Sequence, residues 1–435
     1  MPPSRLIVIS YLIVILIGGL LIKISSGMSI IDSIFTSTSA ITVSGHTVKS
    51  TAELPLFSKI VIIILIQSGG IGISTLSLSL AFIFRRSPGF ADRFVFIQSF
   101  AGPVFTNVKT LLKVVVIFTL IFEILGAIIL TFIWNNQLVN SFPFWKKFLF
   151  SLFHAISAFC NAGFDLTGKS LIQDSHNYSV ILVISVLIII GGIGFPVIFE
   201  LLRKAIKRNS IERITTHTRI VLTTTLLLTL CGAFIIFAFE KNNYLSLVSL
   251  TDKITVSLFT SITARTAGFT VADISNFSNH TLLFICFLMF VGASPGSAGG
   301  GIKTISFAVI VALCRTVLRG EKYVTLFKRT INDEIVKRIV SITFICLAIV
   351  ISGEFLIYYV EVGKFNIVRI LFETVSAFGT VGLSTGITPA LSDVSKLIMS
   401  AIMFIGKVGV LTFVYSFVDK KQVELRYSEA SVMIG

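Results

Sequence analysis

The stretch FTSITARTAGF, residues 259–269, is one of four related segments in this chain, and each of them ends in a short glycine loop. The other three read FTSTSAITVSGH from Phe35, FHAISAFCNAGF from Phe153 and FETVSAFGTVGL from Phe372. The closing glycine follows the phenylalanine by ten residues in these three and by nine in the segment at 259. The glycines are Gly45, Gly163, Gly268 and Gly382. Repetition on this scale predicts one structural unit used four times.

The composition predicts a membrane protein. Hydrophobic residues make up 54% of the 435 residues and charged residues only 13%, whereas a soluble domain carries about 25% charged residues. The net charge is +15, but basic residues concentrate in the stretches 85–113, 203–219 and 315–338, as expected of cytoplasmic loops. We therefore expect a multi-pass protein of the plasma membrane with both termini in the cytoplasm and no nucleic-acid partner.

No residue pattern in the chain indicates catalysis or a resident metal. The five cysteines and five histidines are isolated, without CxxC or Cys/His spacing, so neither a disulfide framework nor a metal site is indicated. We find no HExxH motif, no paired aspartates and no Ser-Lys constellation within the apolar sequence. The chain is predicted not to be an enzyme and to hold no bound cofactor.

Eight apolar stretches are long enough to span a bilayer, which needs about 20 residues. They are 5–23, 56–84, 112–134, 178–202, 218–239, 279–315 (interrupted), 337–360 and 396–418. They form four pairs, and a shorter segment typical of a re-entrant half-helix lies inside each pair, at 31–41, 146–160, 252–264 and 367–379. The predicted fold is an all-α integral membrane protein of four tandem helix–pore-half-helix–helix units in a pseudo-fourfold arrangement around a central ion pore.

We place the unit boundaries in the loops between the pairs. The predicted units are 1–86, 87–205, 206–330 and 331–419, followed by a cytoplasmic tail at 420–435. In this topology the half-helices enter from outside with their C-terminal ends aimed at a shared axis. The partial negative charge of those ends favours a cation there.

The glycine loops have the chemistry of a carbonyl-lined filter. Such a filter replaces the water around a cation with backbone oxygens, and glycine permits the backbone conformation required. The predicted filter residues, whose carbonyls would bind the cation, are Val43, Ser44, Gly45, Asn161, Ala162, Gly163, Thr266, Ala267, Gly268, Thr380, Val381 and Gly382. None of them is acidic. Asp165, just beyond the second loop, is either a cation-attracting group at the mouth or a solvated turn residue.

The second helix of each pair carries a further pattern. SGGIG at 68–72 matches IGGIG at 190–194 and IGKVG at 405–409, where Lys407 replaces the middle glycine. In the third unit the helix is interrupted by GASPGSAGGG at 292–301, which cannot remain helical and at membrane depth must line a cavity. We interpret this loop as a mobile gate, with the candidate residues Gly292, Ser294, Pro295, Gly296, Ser297, Gly299, Gly300, Gly301 and Lys407. The predicted acceptors for the Lys407 ammonium are the loop carbonyls and the hydroxyls of Ser294 and Ser297.

From about residue 5 onward the chain resembles the Trk/Ktr/HKT superfamily of potassium transporters, and within it the membrane subunit of Ktr-type systems. The four loops carry the resemblance, most specifically SAFCNAGFDL from Ser157 and TARTAGF from Thr263. The GASPGSAGGGIKT loop from Gly292 and the ending ELRYSEASVMIG from Glu424 add to it.

The resemblance implies a potassium-selective, channel-like subunit that forms a homodimer and is gated by the 292–301 loop. It also implies control by a cytosolic nucleotide-binding regulatory ring (KtrA-like), for which the basic loops offer a docking surface that includes Arg208, Arg213 and Arg329. K⁺ would be the transported ion, and Na⁺ is the candidate coupling or activating ion. The alternative is a sodium-permeable member of the same superfamily, but Gly45 is the family's potassium-type residue. Two residues depart from the family pattern: Lys407 stands where arginine is usual, and His46 where an apolar or small residue is expected.

Overall fold

A computed structural model of the chain describes residues 3–72, 108–206 and 214–417. The first unit contains α1 (Pro3–Ser26), α2 (Ile30–Thr42) and α3 (Leu56–Ile71). The second contains α4 (Val108–Ile133), α5 (Gln137–Asn140), α6 (Phe144–Phe159), α7 (Tyr178–Ile193) and α8 (Phe195–Ile206). The third contains α9 (Thr216–Glu240), α10 (Leu250–Thr263), α11 (Asn279–Phe290) and α12 (Thr304–Leu318). The fourth contains α13 (Asp333–Val360), α14 (Ile367–Gly379), α15 (Asp393–Val408) and α16 (Val410–Phe417).

The same order of elements recurs in the four units. We call α1, α4, α9 and α13 the first helices, α2, α6, α10 and α14 the half-helices, and α3, α7, α11 and α15 the second helices. A one-turn 3₁₀ helix lies between half-helix and second helix in every unit, at Thr51–Glu53, Ile172–Asp174, Ile274–Asn276 and Thr388–Ala390. The chain is mainly helical and apolar, as predicted, and the unit boundaries themselves stay a prediction.

Within the described residues, the first helices are long and apolar enough to cross a membrane, at Ser4–Ser26, Val115–Ile133, Thr216–Glu240 and Asp333–Val360. The second helices are shorter than predicted because they end at a backbone break. Gly72, Gly194 and Gly409 end α3, α7 and α15 with φ of +90°, +98° and +87°, a region that side chains disfavour. The predicted spans 178–202 and 396–418 are therefore wrong as continuous helices, and α7 and α8 meet at 100°. Residues 73–84 of the predicted span 56–84 lie outside the described residues.

Hydrogen bonds join the end of each first helix to the start of its second helix. In the third unit Glu240 accepts from the Ser278 amide at 3.0 Å and from the Thr281 hydroxyl at 2.5 Å. In the fourth, Glu361 accepts from the Ser392 amide and the Ser395 hydroxyl, both at 2.7 Å. Burial acts to raise the pKa of Glu361, but these hydrogen bonds outweigh it and lower that pKa to about 2. These contacts close each unit into a hairpin around its half-helix.

Contacts between units run in a closed cycle. Each second helix packs against the half-helix of the following unit, and α15 of the fourth unit packs against α2 of the first. Large apolar side chains fill the centre, and the phenylalanine that starts each repeat is fully or almost fully buried: Phe35, Phe153, Phe259 and Phe372. The glycine loops therefore lie at the centre of the molecule, where the four half-helices end.

One element departs from the all-α expectation. A two-stranded antiparallel hairpin, β1 (Thr325–Leu326) and β2 (Arg329–Thr330), lies within the basic stretch 315–338. Arg329 is exposed on it. Of the other predicted features on the cytoplasmic side, Arg208, Arg213, most of the basic stretch 85–113 and the tail at 420–435 lie outside the described residues.

Candidate ion filter and gate

The backbone turns at the same point after each half-helix. Two residues before each closing glycine, a non-glycine residue has left-handed φ of +50° to +75°. These residues are Val43, Asn161, Thr266 and Thr380. The closing glycines also have positive φ, from +68° at Gly163 to +88° at Gly382. Such strain in non-glycine residues persists where the surrounding structure over-determines it, often at functional sites.

The residue between each strained residue and its glycine is tied back to the half-helix through its amide. In three units this amide donates five residues back, from Ser44 to Ser39, from Ala162 to Ser157 and from Val381 to Ser376, at 2.7–2.9 Å. In the third unit Ala267 donates only four residues back, to Thr263 at 2.9 Å. The one-residue shortening of the third repeat is thus absorbed at this hydrogen bond, and the glycine keeps its place.

The four loops meet edge to edge. Each closing glycine lies against the carbonyl oxygen that immediately precedes the closing glycine of the next loop. The pairs are Gly45 with Ala162, Gly163 with Ala267, Gly268 with Val381 and Gly382 with Ser44. A Cβ built on Gly45 would lie 2.6 Å from the Ala162 oxygen, a distance that real Cβ atoms do not reach. Glycine is therefore required here by the neighbouring loop as well as by its own φ.

The loop carbonyls are free to bind a cation. None of the carbonyl oxygens of the twelve predicted filter residues accepts a hydrogen bond from the described part of the chain. Free carbonyls at the C-terminal ends of four half-helices form a site of partial negative charge. Such an arrangement can replace the hydration shell of a monovalent cation.

The glycines of the second helices have a packing role. Gly69, Gly191 and Gly406 lie against the carbonyls of Ile41, Phe159 and Phe378, in the last turns of the half-helices. A side chain at any of them would collide with backbone. In these three units the pattern thus lets the second helix approach its half-helix closely.

The 292–301 loop lies against the glycine loops and contacts three units. The Gly300 amide donates to the Thr380 hydroxyl of the fourth filter loop at 2.9 Å, and Gly299 lies against Thr266 of the third. The Ser294 amide donates to Gly192 of α7 at 3.2 Å, and the Phe195 amide of α8 donates to Gly296 at 3.0 Å. The second unit therefore contacts the loop at the helix break around Gly194.

The loop is more tightly held than its glycine content suggests. The segments 292–294 and 298–300 are buried, which the interpretation of the loop as a mobile gate did not anticipate. The reason is that glycines let the loop fit closely against the third and fourth glycine loops. A Cβ on Gly300 would lie 2.6 Å from the Thr380 hydroxyl oxygen.

Two lysines bind this loop. Lys407 of α15 donates to the Ala298 carbonyl, as the predicted link between Lys407 and the loop requires. The predicted hydroxyl acceptors are wrong, because Ser294 bonds Thr304 at 3.1 Å and Ser297 donates to the Ser294 carbonyl at 2.6 Å. Lys303, just after the loop, donates to the carbonyl of Gly299, the residue that follows the Lys407 acceptor Ala298, at 2.7 Å.

Two basic residues of the site escaped the sequence reasoning. Lys303 lies in the GGGIKT stretch, and from the sequence a basic residue at this point is expected to be exposed to solvent at the end of the loop. Arg265 stands between the half-helix α10 and the third filter loop, is 7% exposed, and donates to the Thr225 carbonyl at 3.1 Å and the Thr229 hydroxyl at 3.4 Å. A charged residue inside predicted membrane sequence is a functional candidate by default, and that signal was available for both.

Asp165 is a turn residue. Its Oδ2 atom accepts from the amides of Thr167, Gly168 and Ser170 at 2.7–3.1 Å and from the Thr167 hydroxyl. With this oxygen occupied four times, Asp165 organises the second loop's outer turn. Of the two alternatives for this residue, the structure favours the turn.

Four half-helices that aim free carbonyls at one point, inside a frame of membrane-length apolar helices, define an integral membrane protein of the ion-transport class. The sequence agrees: residues 5–424 match the TrkH family model, described as a cation transport protein. The chain belongs to this family, which confirms the resemblance noted above. Within it, the chain is 36% identical to the Ktr system potassium uptake protein B of Bacillus subtilis, covering all of this chain and 97% of that protein.

Two further comparisons bear on function and fold. The chain is 34% identical to the potassium/sodium uptake protein NtpJ of Enterococcus hirae, covering all of this chain and 97% of that protein. The crystal structure of the potassium transporter TrkH from Vibrio parahaemolyticus superposes with a TM-score of 0.76 over 95% of this chain and 84% of that one, at 18% identity. The structural likeness supports the all-α membrane fold.

Proposed function

We propose that this chain is the potassium-selective, ion-translocating membrane subunit of a K⁺ uptake system, with a channel-like pathway along the axis of the four loops. The observation that carries the proposal is the closed cycle of glycines and carbonyls: each filter glycine touches the carbonyl before the next one. Those carbonyls lack hydrogen-bond partners in the described residues. Unpaired buried carbonyls cost free energy, which a bound cation would recover.

The proposed architecture is pseudo-fourfold, with the units 1–86, 87–205, 206–330 and 331–419 around one ion pathway. The recurring element order and the cyclic contacts between second helices and half-helices support it. K⁺ is the transported substrate and binds through backbone carbonyls. Nothing in this mechanism requires bond chemistry, so the chain acts as a transporter rather than as an enzyme.

The 292–301 loop is the proposed gate, and the described conformation is closed. Support comes from its place under the filter, from the Gly300–Thr380 hydrogen bond and from the two lysine contacts. Opening requires the loop to leave Thr380 and Lys407. Because the loop is held by specific bonds rather than loosely ordered, a conformational change imposed from the cytoplasmic side can control it.

The names of the relatives support potassium as the ion. The B. subtilis relative is named a potassium uptake protein, and the E. hirae relative a potassium/sodium uptake protein. A sodium-permeable transporter is therefore the second candidate, with Na⁺ otherwise a candidate coupling or activating ion. Gly45, which the family resemblance identifies as the potassium-type residue of the first loop, favours potassium over sodium.

The proposed assembly is a homodimer in the plasma membrane, with both termini in the cytoplasm and a cytosolic nucleotide-binding ring bound there. The word "system" in the relatives' names supports a regulatory partner. The exposed basic hairpin that contains Arg329 is the described part of the proposed docking surface.

Complementation tests the function directly. The chain, with and without a KtrA-like partner, is expressed in a bacterium that lacks its own K⁺ uptake systems, and growth at low K⁺ is scored together with Rb⁺ and Na⁺ uptake. We expect growth and Rb⁺ uptake, with the partner increasing both. Na⁺ uptake without Rb⁺ uptake would support the sodium-permeable alternative, and uptake of neither ion in correctly inserted protein would overturn the proposal.

A further inference from the structure

One half-helix carries an acidic residue at a position where the other three have threonine or histidine. The position after each repeat's phenylalanine is Thr36, His154 and Thr260 in three units and Glu373 in the fourth. Glu373 lies on α14, and its side chain is buried, with 1% exposed. A buried carboxyl in apolar sequence is costly unless hydrogen bonds compensate it, so its partners indicate what it does.

The hydrogen-bond partners of Glu373 lie just after the fourth filter loop. Oε1 accepts from the Thr385 amide at 2.7 Å, the Ser384 hydroxyl at 2.8 Å and the Thr385 hydroxyl at 3.0 Å, and Oε2 accepts from the Thr388 hydroxyl at 2.8 Å. Ser384 and Thr385 follow the closing glycine Gly382 by two and three residues. The carboxyl therefore fastens the chain that leaves the filter loop to the half-helix that enters it.

A second residue of α14 holds the other side of Gly382. Ser376 lies about one helical turn from Glu373, on the same face of the helix. Its carbonyl accepts from the Val381 amide at 2.9 Å, and its hydroxyl accepts from the Gly382 amide at 3.2 Å. One face of α14 thus holds the chain before and after the closing glycine. Gly382 in turn lies against the Ser44 carbonyl of the first loop, so its position also affects the neighbouring loop.

The second unit repeats this arrangement with a different side chain. His154 occupies the position that matches Glu373, is fully buried, and accepts a hydrogen bond at Nε2 from the Leu166 amide at 3.2 Å. Leu166 follows Gly163 by three residues, just as Thr385 follows its own closing glycine. Two chemically unrelated side chains thus accept from the matching amide in two repeats. This recurrence indicates that the bond serves the loop rather than the half-helix.

Glu373 also contacts the first filter loop. His46 Nε2 lies 3.6 Å from Glu373 Oε2, and His46 Nδ1 lies 3.0 Å from the hydroxyl of the filter residue Ser44. The carboxyl that holds the fourth loop therefore also packs against the loop that follows it in the cycle.

We propose that Glu373 is a positioning residue of the filter, an inference that rests on the proposed function. Its hydrogen bonds hold the chain after Gly382, so that the fourth loop keeps its carbonyls at a fixed place in the ring. Selectivity among monovalent cations depends on the size of the carbonyl site or on the number of carbonyls that reach the ion, and a loop held on one side only fixes neither. The role requires hydrogen-bond acceptors at this place and does not require a negative charge.

The test is the ratio of Rb⁺ to Na⁺ uptake into liposomes that contain the purified full-length protein, with the melting temperature measured on the same preparations. We expect Glu373→Leu, which removes the acceptors, to lower this ratio about tenfold, since the loss of one buried hydrogen bond changes an equilibrium constant by about that factor. Glu373→Gln should keep the ratio within about twofold of the wild type, because its amide oxygen accepts the bonds made to Oε1 and the Thr388 hydroxyl can rotate to accept from its amide nitrogen.

A matched control lies in the same unit. Glu361 is likewise 1% exposed and accepts from the Ser392 amide and the Ser395 hydroxyl, but these bonds join α13 to the start of α15 rather than a half-helix to a filter loop. Glu361→Leu should therefore lower the melting temperature and leave the Rb⁺/Na⁺ ratio unchanged.

A variant on the partner side keeps the test decisive if Glu373→Leu does not fold. Ser384→Ala combined with Thr385→Val removes two hydroxyl donors to Glu373 and leaves the Thr385 amide in place. We expect a severalfold fall in the Rb⁺/Na⁺ ratio, smaller than that of Glu373→Leu.

Three results would overturn the inference while leaving the transport function intact. They are a wild-type ratio in folded Glu373→Leu or in the Ser384/Thr385 double variant, a fall in Glu373→Gln as large as that in Glu373→Leu, and an equal fall in Glu361→Leu. A wild-type protein that does not prefer Rb⁺ to Na⁺ would instead overturn the proposed potassium selectivity, and this inference with it.

Discussion

Replacing Lys407 tests whether the loop beneath the filter is a latched gate. Lys407 donates to the Ala298 carbonyl, so opening of the loop must break a charge-assisted hydrogen bond. Such bonds contribute about 1.5–3 kcal/mol, and about 1.4 kcal/mol is a factor of ten in an equilibrium constant. Lys407→Ala should therefore shift the balance between closed and open states by about 10- to 100-fold toward open. Removal of the ammonium also removes electrostatic repulsion of K⁺ below the filter.

The assay is Rb⁺ flux through the purified protein in liposomes, without the cytosolic partner, alongside the K⁺/Na⁺ ratio. We expect Lys407→Ala to raise the flux at least tenfold and to leave the ratio within about twofold of the wild type, since the filter loops are untouched. Lys407→Arg should keep the flux low, because the guanidinium provides more donors to the same carbonyl.

A matched control lies on the same helix. Lys396, also on α15, pairs with Asp32 of α2 at 2.7 Å and with Asp393 at 3.8 Å, and within the described residues it makes no ionic contact with the 292–301 loop. Lys396→Ala removes a lysine and its ionic contact from α15 but should leave Rb⁺ flux near the wild-type rate in protein that remains monodisperse. Wild-type flux in Lys407→Ala, or an equal rise in both alanine variants, would refute the latch.

Three other predictions address the surrounding structure. The folded-state pKa of Glu361, about 2, lies below its ordinary value of about 4.3, so its carboxylate stabilises the fold fully above about pH 4.5 and progressively less toward pH 2. Glu361→Gln should therefore lower the melting temperature at pH 7, and the difference from wild type should shrink below pH 4. Arg329→Glu should weaken co-purification of the cytosolic partner most at low salt, whereas Lys241→Glu, on the opposite side of the membrane in our topology, should not. Arg265→Ala should lower K⁺/Na⁺ selectivity severalfold, because the third filter loop loses its anchor to Thr225; Arg265→Gln, which keeps a donor, should lose less.

The repeat and the half-helices were predictable because both are local features. A phenylalanine, a run of small and polar residues and a glycine recur at fixed spacing, and the segment lengths separate half-helices from spans. The predicted 31–41 and 252–264 correspond to α2 (Ile30–Thr42) and α10 (Leu250–Thr263), within two residues at each end. That the four loops meet was predicted only from their repetition. The contacts between each closing glycine and a carbonyl of the next loop show how they meet.

The breaks in the second helices were not predictable from hydropathy. The apolar sequence continues through Gly194 and Gly409, so nothing in a hydrophobic run marks where the axis turns. At Gly194 the turn coincides with a tertiary contact that hydropathy does not show, the hydrogen bond from the Phe195 amide to Gly296. Glycines in these helices were correctly associated with close packing, but glycine also ends a helix when positive φ is required.

Contacts between residues far apart in sequence were also invisible. His46 stands out as an exception to the repeat, and Glu373 as a charge in a half-helix, but their contact depends on how the first and fourth units close the cycle. The acceptor of Lys407 likewise depends on the backbone path of the 292–301 loop, and a glycine-rich sequence does not determine that path. In both cases the residue was identifiable as unusual and its partner was not.

The central claim is that the four glycine loops form one K⁺-selective filter, and a pair of neighbouring glycines tests it most directly. Gly382 and Gly386 have nearly the same φ, +88° and +86°, so alanine is equally strained at both. They differ in their surroundings: a Cβ on Gly382 would strike the Ser44 carbonyl of the next loop, whereas nothing lies within 4 Å of one on Gly386.

The measurement is the K⁺/Na⁺ selectivity of Gly382→Ala and Gly386→Ala in liposomes, at matched levels of folded protein. We predict that Gly382→Ala loses most of its discrimination against Na⁺, because the displaced carbonyl can no longer take part in the ring, while Gly386→Ala keeps wild-type selectivity. Wild-type selectivity in Gly382→Ala, or an equal loss in both variants, would contradict the assignment of these loops as the filter.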